Sequence, residues 1–369
     1  MLSYLPCDLV DVILSRVPTK PLIRLRSTCK RWNSLFDDHI FSKKHFVNAI
    51  KESAFLLFIN VRLFTISCEL QRLDGYNVNL RELSLRKCIC KNNNCKIYEV
   101  LHCDGLLLAL TQCFELIVWN PCLKETKLIE PHIDRLHIPT PGYAIGCDKK
   151  YGDRRYKILF FGSNRHRCPT RGFFVKYSKV EMYDFTSNSW RILEAKIDFF
   201  LSFPTRWISL KGNSYWVGAD ENTNECFIVR FDFSTEMFGR LSLPFLANLD
   251  SSFLPMSVKN DRISIIQQKW NPYYVEIWMT GTVIDGQELS WSKLMRVEEE
   301  TIGVWFQNPY FYIHDEEKKV VVFCYRERWN KDRVCIMEHQ KYTEVYVEEA
   351  EDFTIPIIYN YVPTLDHIR

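Results

Sequence analysis

Several features are missing from this 369-residue chain, and each absence narrows what it can be. No uninterrupted apolar run approaches the ~18 residues of a membrane-spanning helix. The first twenty residues hold Asp8, Asp11 and Arg16, with Pro18 after them, so no apolar segment of a secretory signal forms there. No Asn-x-Ser/Thr glycosylation site occurs. Neither sign of charge is in excess: 48 Lys and Arg meet 45 Asp and Glu, for a net +3. Proteins that hold nucleic acid usually declare a basic surplus, so no nucleic-acid partner is expected. The 14 cysteines are scattered, well below the density of a disulfide scaffold. A soluble protein of a reducing compartment, cytoplasm or nucleus, with no membrane partner, is the expectation.

Motifs that carry chemistry are equally scarce. There is no phosphate loop, no dinucleotide fingerprint, no Gly-x-Ser-x-Gly elbow and no His-Glu-x-x-His pair. The nearest thing to a metal hook is Cys88, Cys90, Cys95, His102 and Cys103. Zinc hooks normally use Cys-x₂₋₄-Cys pairs, which let two thiolates reach one tetrahedral ion; here the spacings are one, four and six. Asn92-Asn93-Asn94 between them reads as a hairpin turn, so small half-buried cysteines are preferred, with no metal and no cofactor. The "DKKYGDRR" stretch from Asp148 lacks the alternating ligands of a calcium loop and reads as a charged surface turn. Catalysis within this chain is not expected. "FFGSNRHRCPTRGFF" from Phe160 to Phe174 holds Arg165, Arg167 and Arg171 with no acidic residue among them. It reads as a solvated interstrand loop or, functionally, as a basic rim for an acidic target.

What is present comes in two unlike parts. The first reads "LPCDLVDVILSRVPTKPLIRLRSTCKRW" from Leu5 to Trp32. Pro6 suits a helix start, and Leu9, Val12, Ile13 and Arg16 follow at helical spacing. Leu14 and Val17 widen the stripe beyond half the circumference, and Pro18 stops the helix. Thr19 then serves as a cap for a second helix carrying Leu22, Leu25, Cys29, Trp32 and Phe36 as one seam. Asp37 and Asp38 start a third short helix with Ile40, Phe41 and His45. So few residues cannot bury this much apolar surface alone, so the helices pack either on the rest of the chain or on another protein.

From about Phe55 onward the pattern changes to short β-branched and aromatic runs between turn residues. A repeat runs through it. Tyr183, Asp184 and Trp190 recur 48 residues on as Phe231, Asp232 and Phe238, while Trp278 and then Tyr325 follow at steps of 47. The turn residues Gly212-Asn213 and Asn260-Asp261 keep the same step. Strand, turn, strand, aromatic-bearing strand, turn, strand in nearly fifty residues is one blade of a β-propeller. Asp104 to Glu130 and Tyr143 to Phe161 read as divergent copies, and the strands between Phe55 and Tyr98 supply one more, giving about six blades. The aromatic positions are expected to fill the cores between blades.

The first part resembles an F-box of the plant type. The match runs over Leu5, Pro6, Asp8, Leu9, Ile13, Leu14, Arg16, Val17, Pro18, Lys20, Leu22, Arg24, Leu25, Arg26, Cys29, Lys30, Trp32, Phe41 and His45, and departs at Val12 and Pro21. The second part is similar to the F-box-associated, kelch-like domain. Phrases such as "CDGLLLAL", "VWNPCLKETKLI", "VEMYDFTSNSWR", "SLKGNSYWV", "FDFSTEMFGRL" and "YVPTL" occur in its order. The resemblance implies a mainly β protein: a three-helix F-box over residues 1–48, then a propeller over 49–369. It implies that Leu5, Pro6, Leu9, Ile13, Leu14, Val17, Pro18, Leu22, Leu25, Cys29 and Trp32 dock on a Skp-type adaptor, which in turn reaches cullin and RING subunits of a ubiquitin ligase. The propeller would hold a target protein whose identity the sequence does not give. Two other readings stay open: a carbohydrate-binding or enzymatic propeller with an incidental helical head, and an F-box scaffold outside any ligase.

Overall fold

The computed structural model describes residues 6–50, 54–71, 75–83, 97–113, 115–130, 142–150, 154–162, 174–175, 177, 179–202, 207–248, 254–270, 273–284, 287–298, 309–327, 331–338, 341–350 and 356–368. It opens with four helices: α1 (Cys7–Leu14), α2 (Thr19–Arg26), α3 (Lys30–Phe36) and α4 (His39–Asn48). The single seam expected from Thr19 to Phe36 is broken in the middle. Ser27 and Thr28 donate their hydroxyls back to the carbonyls of Arg24 and Leu25, at 3.0 and 2.6 Å, and so compete with the helical ladder. Cys29 then turns extended, and its Sγ accepts the Trp32 amide at 3.4 Å. Three helices therefore become four. Thr19 is also not a cap: it is the first residue of α2, and its hydroxyl donates to Pro363 O at 3.0 Å.

Among the described residues every other named element is a strand. β1 (Ala54–Ile59), β2 (Arg62–Gln71) and β3 (Gly75–Glu82) begin the first sheet. β4 (Ile97–Cys103), β5 (Leu106–Thr111), β6 (Leu116–Asn120) and β7 (Glu125–Ile129) form the second. β8 (Gly142–Asp148), β9 (Arg155–Gly162), β11 (Lys179–Asp184) and β12 (Ser189–Leu193) form the third. The fourth holds β10 (Phe174–Val175), β13 (Phe199–Ser202), β14 (Ile208–Leu210), β15 (Asn213–Asp220), β16 (Cys226–Asp232) and β17 (Met237–Leu241). The fifth is β18 (Met256–Lys259), β19 (Arg262–Trp270), β20 (Tyr273–Thr280) and β21 (Trp291–Glu298). The sixth is β22 (Tyr310–Asp315), β23 (Val320–Arg326), β24 (Lys331–Glu338) and β25 (Lys341–Glu349). Last, β26 (Ile357–Tyr361) returns to pair with β1, Leu56 opposite Tyr359, and supplies the innermost strand of the first sheet. The result is a six-bladed propeller whose ring is closed by strands from both ends of the chain.

Turn chemistry explains why the blades repeat. Three inner hairpins turn on two residues, both with positive φ: Asp104-Gly105, Lys211-Gly212 and Asn260-Asp261; Asn60-Val61 turns the same way between the second and third strands of the first blade. That is the type I′ turn, whose twist matches the strands it joins. Three outer hairpins turn on five residues, led by Asn120, Asp184 and Asp232. Each leader's Oδ1 accepts an amide two residues on, and the fifth residue has positive φ: Lys124, Asn188 and Glu236. The repeating Asp of the sequence is thus a turn anchor.

The aromatic positions partly follow the expected phase. Tyr183 faces Trp190 across β11 and β12, rings 5.3 Å apart, and Phe231 faces Phe238 across β16 and β17, 4.9 Å apart. Tyr183 and Phe231 are buried in the core shared by blades two to five. Trp278 holds the matching third strand of blade five, half-buried. Tyr325 does not keep step. It lies in β23, the second strand of its blade, opposite Arg333. The reason is spacing: Ile208 and Met256 open consecutive inner strands 48 residues apart, but Tyr310 opens the next only after 54.

Candidate functional site: a clamped helical head on one propeller face

The helical head packs part of its apolar surface on the rest of the chain and leaves part of it open. Val10, Leu14, Leu22, Phe36 and Phe41 form a small core, completed by Leu365 from the far end of the chain and by Leu123 from the β6–β7 turn. The outer side stays open: Leu9 is 50%, Ile13 44% and Val12 37% exposed, and Pro6 and Cys29 are also exposed. Val17, Pro18, Leu25 and Trp32 are half-buried at the border. Leu14 and Leu22 thus belong to the head's own core and support the open stripe from beneath. Leu5 lies outside the described residues. Ile40, Val47 and Ile50 extend the exposed apolar surface along and beyond α4, a feature the sequence pattern did not single out. Of the five basic residues on α2 and α3, Arg26 is tied to Asp37 and Asn33, while Lys20, Arg24, Lys30 and Arg31 face solvent.

The residues after β26 hold the head in place. Asn120, fixed at its turn, donates to Thr364 O at 3.2 Å and to Asp366 O at 2.8 Å. Asp366 accepts from Arg154 Nη2 at 2.5 Å, from Tyr156 OH at 2.8 Å and from Ser42 Oγ of α4 at 2.9 Å. Arg154 lies flat against the Phe46 ring, 3.4 Å from its centre, a cation–π contact between propeller and head. His367 sits between Glu125 of β7, at 2.5 Å, and Asp37 of the head, at 3.5 Å. Gly105 is required where this tail crosses. Its φ is +92°, and a Cβ there would lie 2.6 Å from Thr364 Cγ2 and 2.7 Å from Val362 O. Inside the head, buried His45 turns Nε2 to Val17 O at 2.8 Å and so donates to it; burial lowers its pKa. None of this long-range pairing has a sequence pattern. "YVPTL" carried a resemblance but not a role.

All of these contacts fall on one face of the ring. The inner strands β4, β14 and β18 run toward it and end there in their type I′ turns, and the Asn120, Asp184 and Asp232 turns lie there too. The second strands leave it for the opposite face. β9 therefore delivers its end, Gly162, to the face away from the head. Arg165, Arg167 and Arg171 follow Gly162 and lie outside the described residues, as do Cys88, Cys90 and Cys95. Among the described residues no group of three or more His, Cys, Asp or Glu could hold a metal. His102 Nε2 accepts the Gly105 amide at 3.1 Å, and burial pushes its pKa down to about 4, so the ring is neutral and part of a turn. A cavity of 180 Å³ runs between the inner strands past Leu101, Met256 and Tyr359, and Phe46 of the head lines its end.

A helical module with an open apolar stripe, clamped to one face of a closed propeller, is the architecture of a two-surface binding protein. The comparisons give it a family. Residues 2–44 match the family model described as an F-box domain, and residues 54–368 match that of the F-box associated beta propeller domain. A putative F-box only protein of Arabidopsis thaliana is 36% identical, over all of this chain and 96% of its own length. A putative F-box/kelch-repeat protein of the same organism is 37% identical, over all of this chain and 98% of its own. The chain belongs to the F-box proteins with an F-box-associated β-propeller. Among solved structures, that titled "Structure of YjhT" is similar at TM-score 0.42 and 12% identity, over 68% of this chain and 83% of that one, too distant to bear on function.

Proposed function

We propose that this protein is a substrate receptor of an SCF-type ubiquitin ligase, acting in the cytoplasm or nucleus without catalysing the transfer itself. Its head would dock on a Skp-type adaptor, through which cullin and RING subunits are reached, and its propeller would hold the protein to be modified. The observation that carries the reading is the exposed stripe Pro6–Leu9–Val12–Ile13 on a head fixed by its other side. Exposed apolar residues in a row cost solubility unless a partner covers them. The exposed Lys20, Arg24, Lys30 and Arg31 nearby suit an acidic partner. The propeller face away from the head is the one left for a target. The mechanism is proximity: holding a lysine near the ubiquitin donor raises its effective concentration.

The test is co-purification of the adaptor with the full chain carrying Leu9→Asp and Ile13→Asp together. Both side chains are exposed, so the melting temperature is expected to stay put while the adaptor is lost. An adaptor that still co-purifies refutes the docking assignment. A chain without residues 1–45 is expected to keep its target and to stop promoting its ubiquitination. Arg165, Arg167 and Arg171 changed together to Ala test the basic loop as a target contact, with a larger loss at low salt.

A further inference from the structure

The 180 Å³ cavity between the innermost strands is lined from five of the six blades, by β26, β4, β14, β18 and β22, with Phe46 of the head at its end. Its wall is largely aromatic and aliphatic. Trp207, Tyr310 and Tyr359 stand in it with Phe46. Trp207 Nε1 and the Tyr310 hydroxyl are sealed, so what these two residues leave accessible is not their polar tip. The Tyr359 hydroxyl donates to Val100 O. Neutral His102 accepts the Gly105 amide, and Lys211 Nζ donates to Val283 O at 3.0 Å and faces Asp261 at 3.4 Å. Asp104 is different. It stands half-buried in the turn after β4, at the head-side end of the cavity. Its Oδ2 takes the Cys147 thiol at 3.6 Å, and it has no ion pair with a Lys or Arg among the described residues. Its Oδ1 has no donor and is not sealed, so a solute can reach it. Arg154 acts on Asp104 by charge but is paired with Asp366. Asn260 is exposed and the Asp261 side chain 46% exposed in the turn after β18, so this end of the cavity meets solvent.

We propose that this cavity binds a small aryl-alkyl ammonium, its cationic end at Asp104 and its apolar body against the aromatic wall. A cavity of about 150 Å³ holds a benzene ring, so one of 180 Å³ takes a ring with a short arm. A carboxylate whose only donor is a thiol gains a charge-assisted hydrogen bond from an ammonium, and aromatic faces attract a cation as well. The lining favours that sign of charge: Glu99, Asp104 and Asp261 stand against Lys211 alone. An anion of the same shape meets repulsion there, and a neutral molecule fills the wall without answering Asp104. The site lies apart from both the exposed stripe of the head and the propeller face away from it, so it stands or falls separately from adaptor docking and target capture.

Isothermal titration of the full chain with 2-phenylethylammonium chloride, and separately with 2-phenylethanol, tests it at one ionic strength. Saturable binding of the amine is expected, at least about tenfold tighter than that of the alcohol, as one charge-assisted contact requires. Asp104→Asn removes the charge and keeps a residue that accepts the φ of 46° at this turn. It is expected to weaken the amine at least about tenfold and to leave the alcohol where it was. Val258→Phe, which narrows the cavity from β18, is expected to weaken both. Should either variant fail to fold, the parent chain still decides, because its preference for the amine over the alcohol needs no variant. Absence of saturable amine binding, or amine affinity untouched by both variants, overturns the site. Equal affinity for amine and alcohol overturns the assignment of a cation.

Discussion

At the scale of the residue, neighbours in the sequence have opposite fates. Leu14 is 2% exposed and packs on Phe36, Phe41 and Leu365, whereas Leu9 and Ile13, one turn away or beside it, face solvent. Leu14→Ala should cost about 3 kcal/mol of stability in the head, as a buried leucine does. Leu9→Ala should leave thermal unfolding nearly unmoved and weaken adaptor binding by about 2 kcal/mol. Denaturation and affinity measured on both variants separate core from surface, and equal stability losses would contradict the division. Helical spacing made the stripe legible. It could not say which half turned inward, because that is decided by Leu365, more than three hundred residues away. His102 carries a pH prediction of its own. Its pKa is about 4 in the fold against 6.5 unperturbed, since burial disfavours the charged ring by more than the nearby Asp104 carboxylate favours it. The unfolded chain therefore binds the proton more readily. The stability His102 contributes is complete above pH 6.5 and is lost as pH falls toward 4, by about 2–3 kcal/mol at most. Urea unfolding at pH 7.5 and 4.5 should show a smaller difference in His102→Gln than in the parent chain. An equal difference would mean that other groups carry it.

At the scale of the element, the turns set the repeat and the strands fill it. Lys124 holds a φ of 58° that an L side chain other than Asn or Asp adopts at a cost of about 1 kcal/mol. Lys124→Gly should therefore stabilise the chain by about 0.5–1 kcal/mol. Asp184→Ala, which removes the 2.7 Å anchor on the Thr186 amide, should destabilise it by a similar amount. Opposite shifts in chemical denaturation support the turn assignment; two shifts of the same sign do not. This regularity is why most blades were legible: Asp184 and Asp232 stand at the same place in the same turn, with Tyr183 and Phe231 buried just before them. Where a connection lengthens, counting fails. Tyr325 sits 47 residues after Trp278 but one strand too early, because 54 residues rather than 48 separate the inner strands there. Helix α2 was misjudged for a local reason. Two hydroxyls, of Ser27 and Thr28, outbid the helix for their carbonyls, and the apolar seam continues across the break as if nothing had happened.

At the scale of the whole molecule, the last fourteen residues do two separable jobs. β26 closes the ring, and the segment after it holds the head. A chain ending at 355 lacks β26, leaving the β1 ladder from Ala54 to Phe58 unpaired and Leu56 and Leu57 uncovered. Such an open apolar edge should give an insoluble product, or one without a cooperative melt. A soluble, cooperatively melting truncation would show that closure is dispensable.

Asp366→Ala isolates the second job. The ring keeps β26, but Arg154, 11% exposed, loses its carboxylate, and Ser42 and Tyr156 lose their acceptor. A buried charge left unpaired costs about 3 kcal/mol, and the strain falls on the contact between α4 and the propeller. On the proposed function, adaptor docking would use the far side of the head and should survive, as should target capture on the opposite propeller face. What changes is the fixed distance between the two. Ubiquitin transfer by proximity depends on that geometry, so a loosened head should lower the rate on the target and spread modification over more of its lysines. Reconstituted ubiquitination with Asp366→Ala, alongside binding assays for both partners, reads this directly. Unaltered rate and lysine choice, with faster α4 hydrogen exchange proving the head loose, would mean that the clamp serves stability alone.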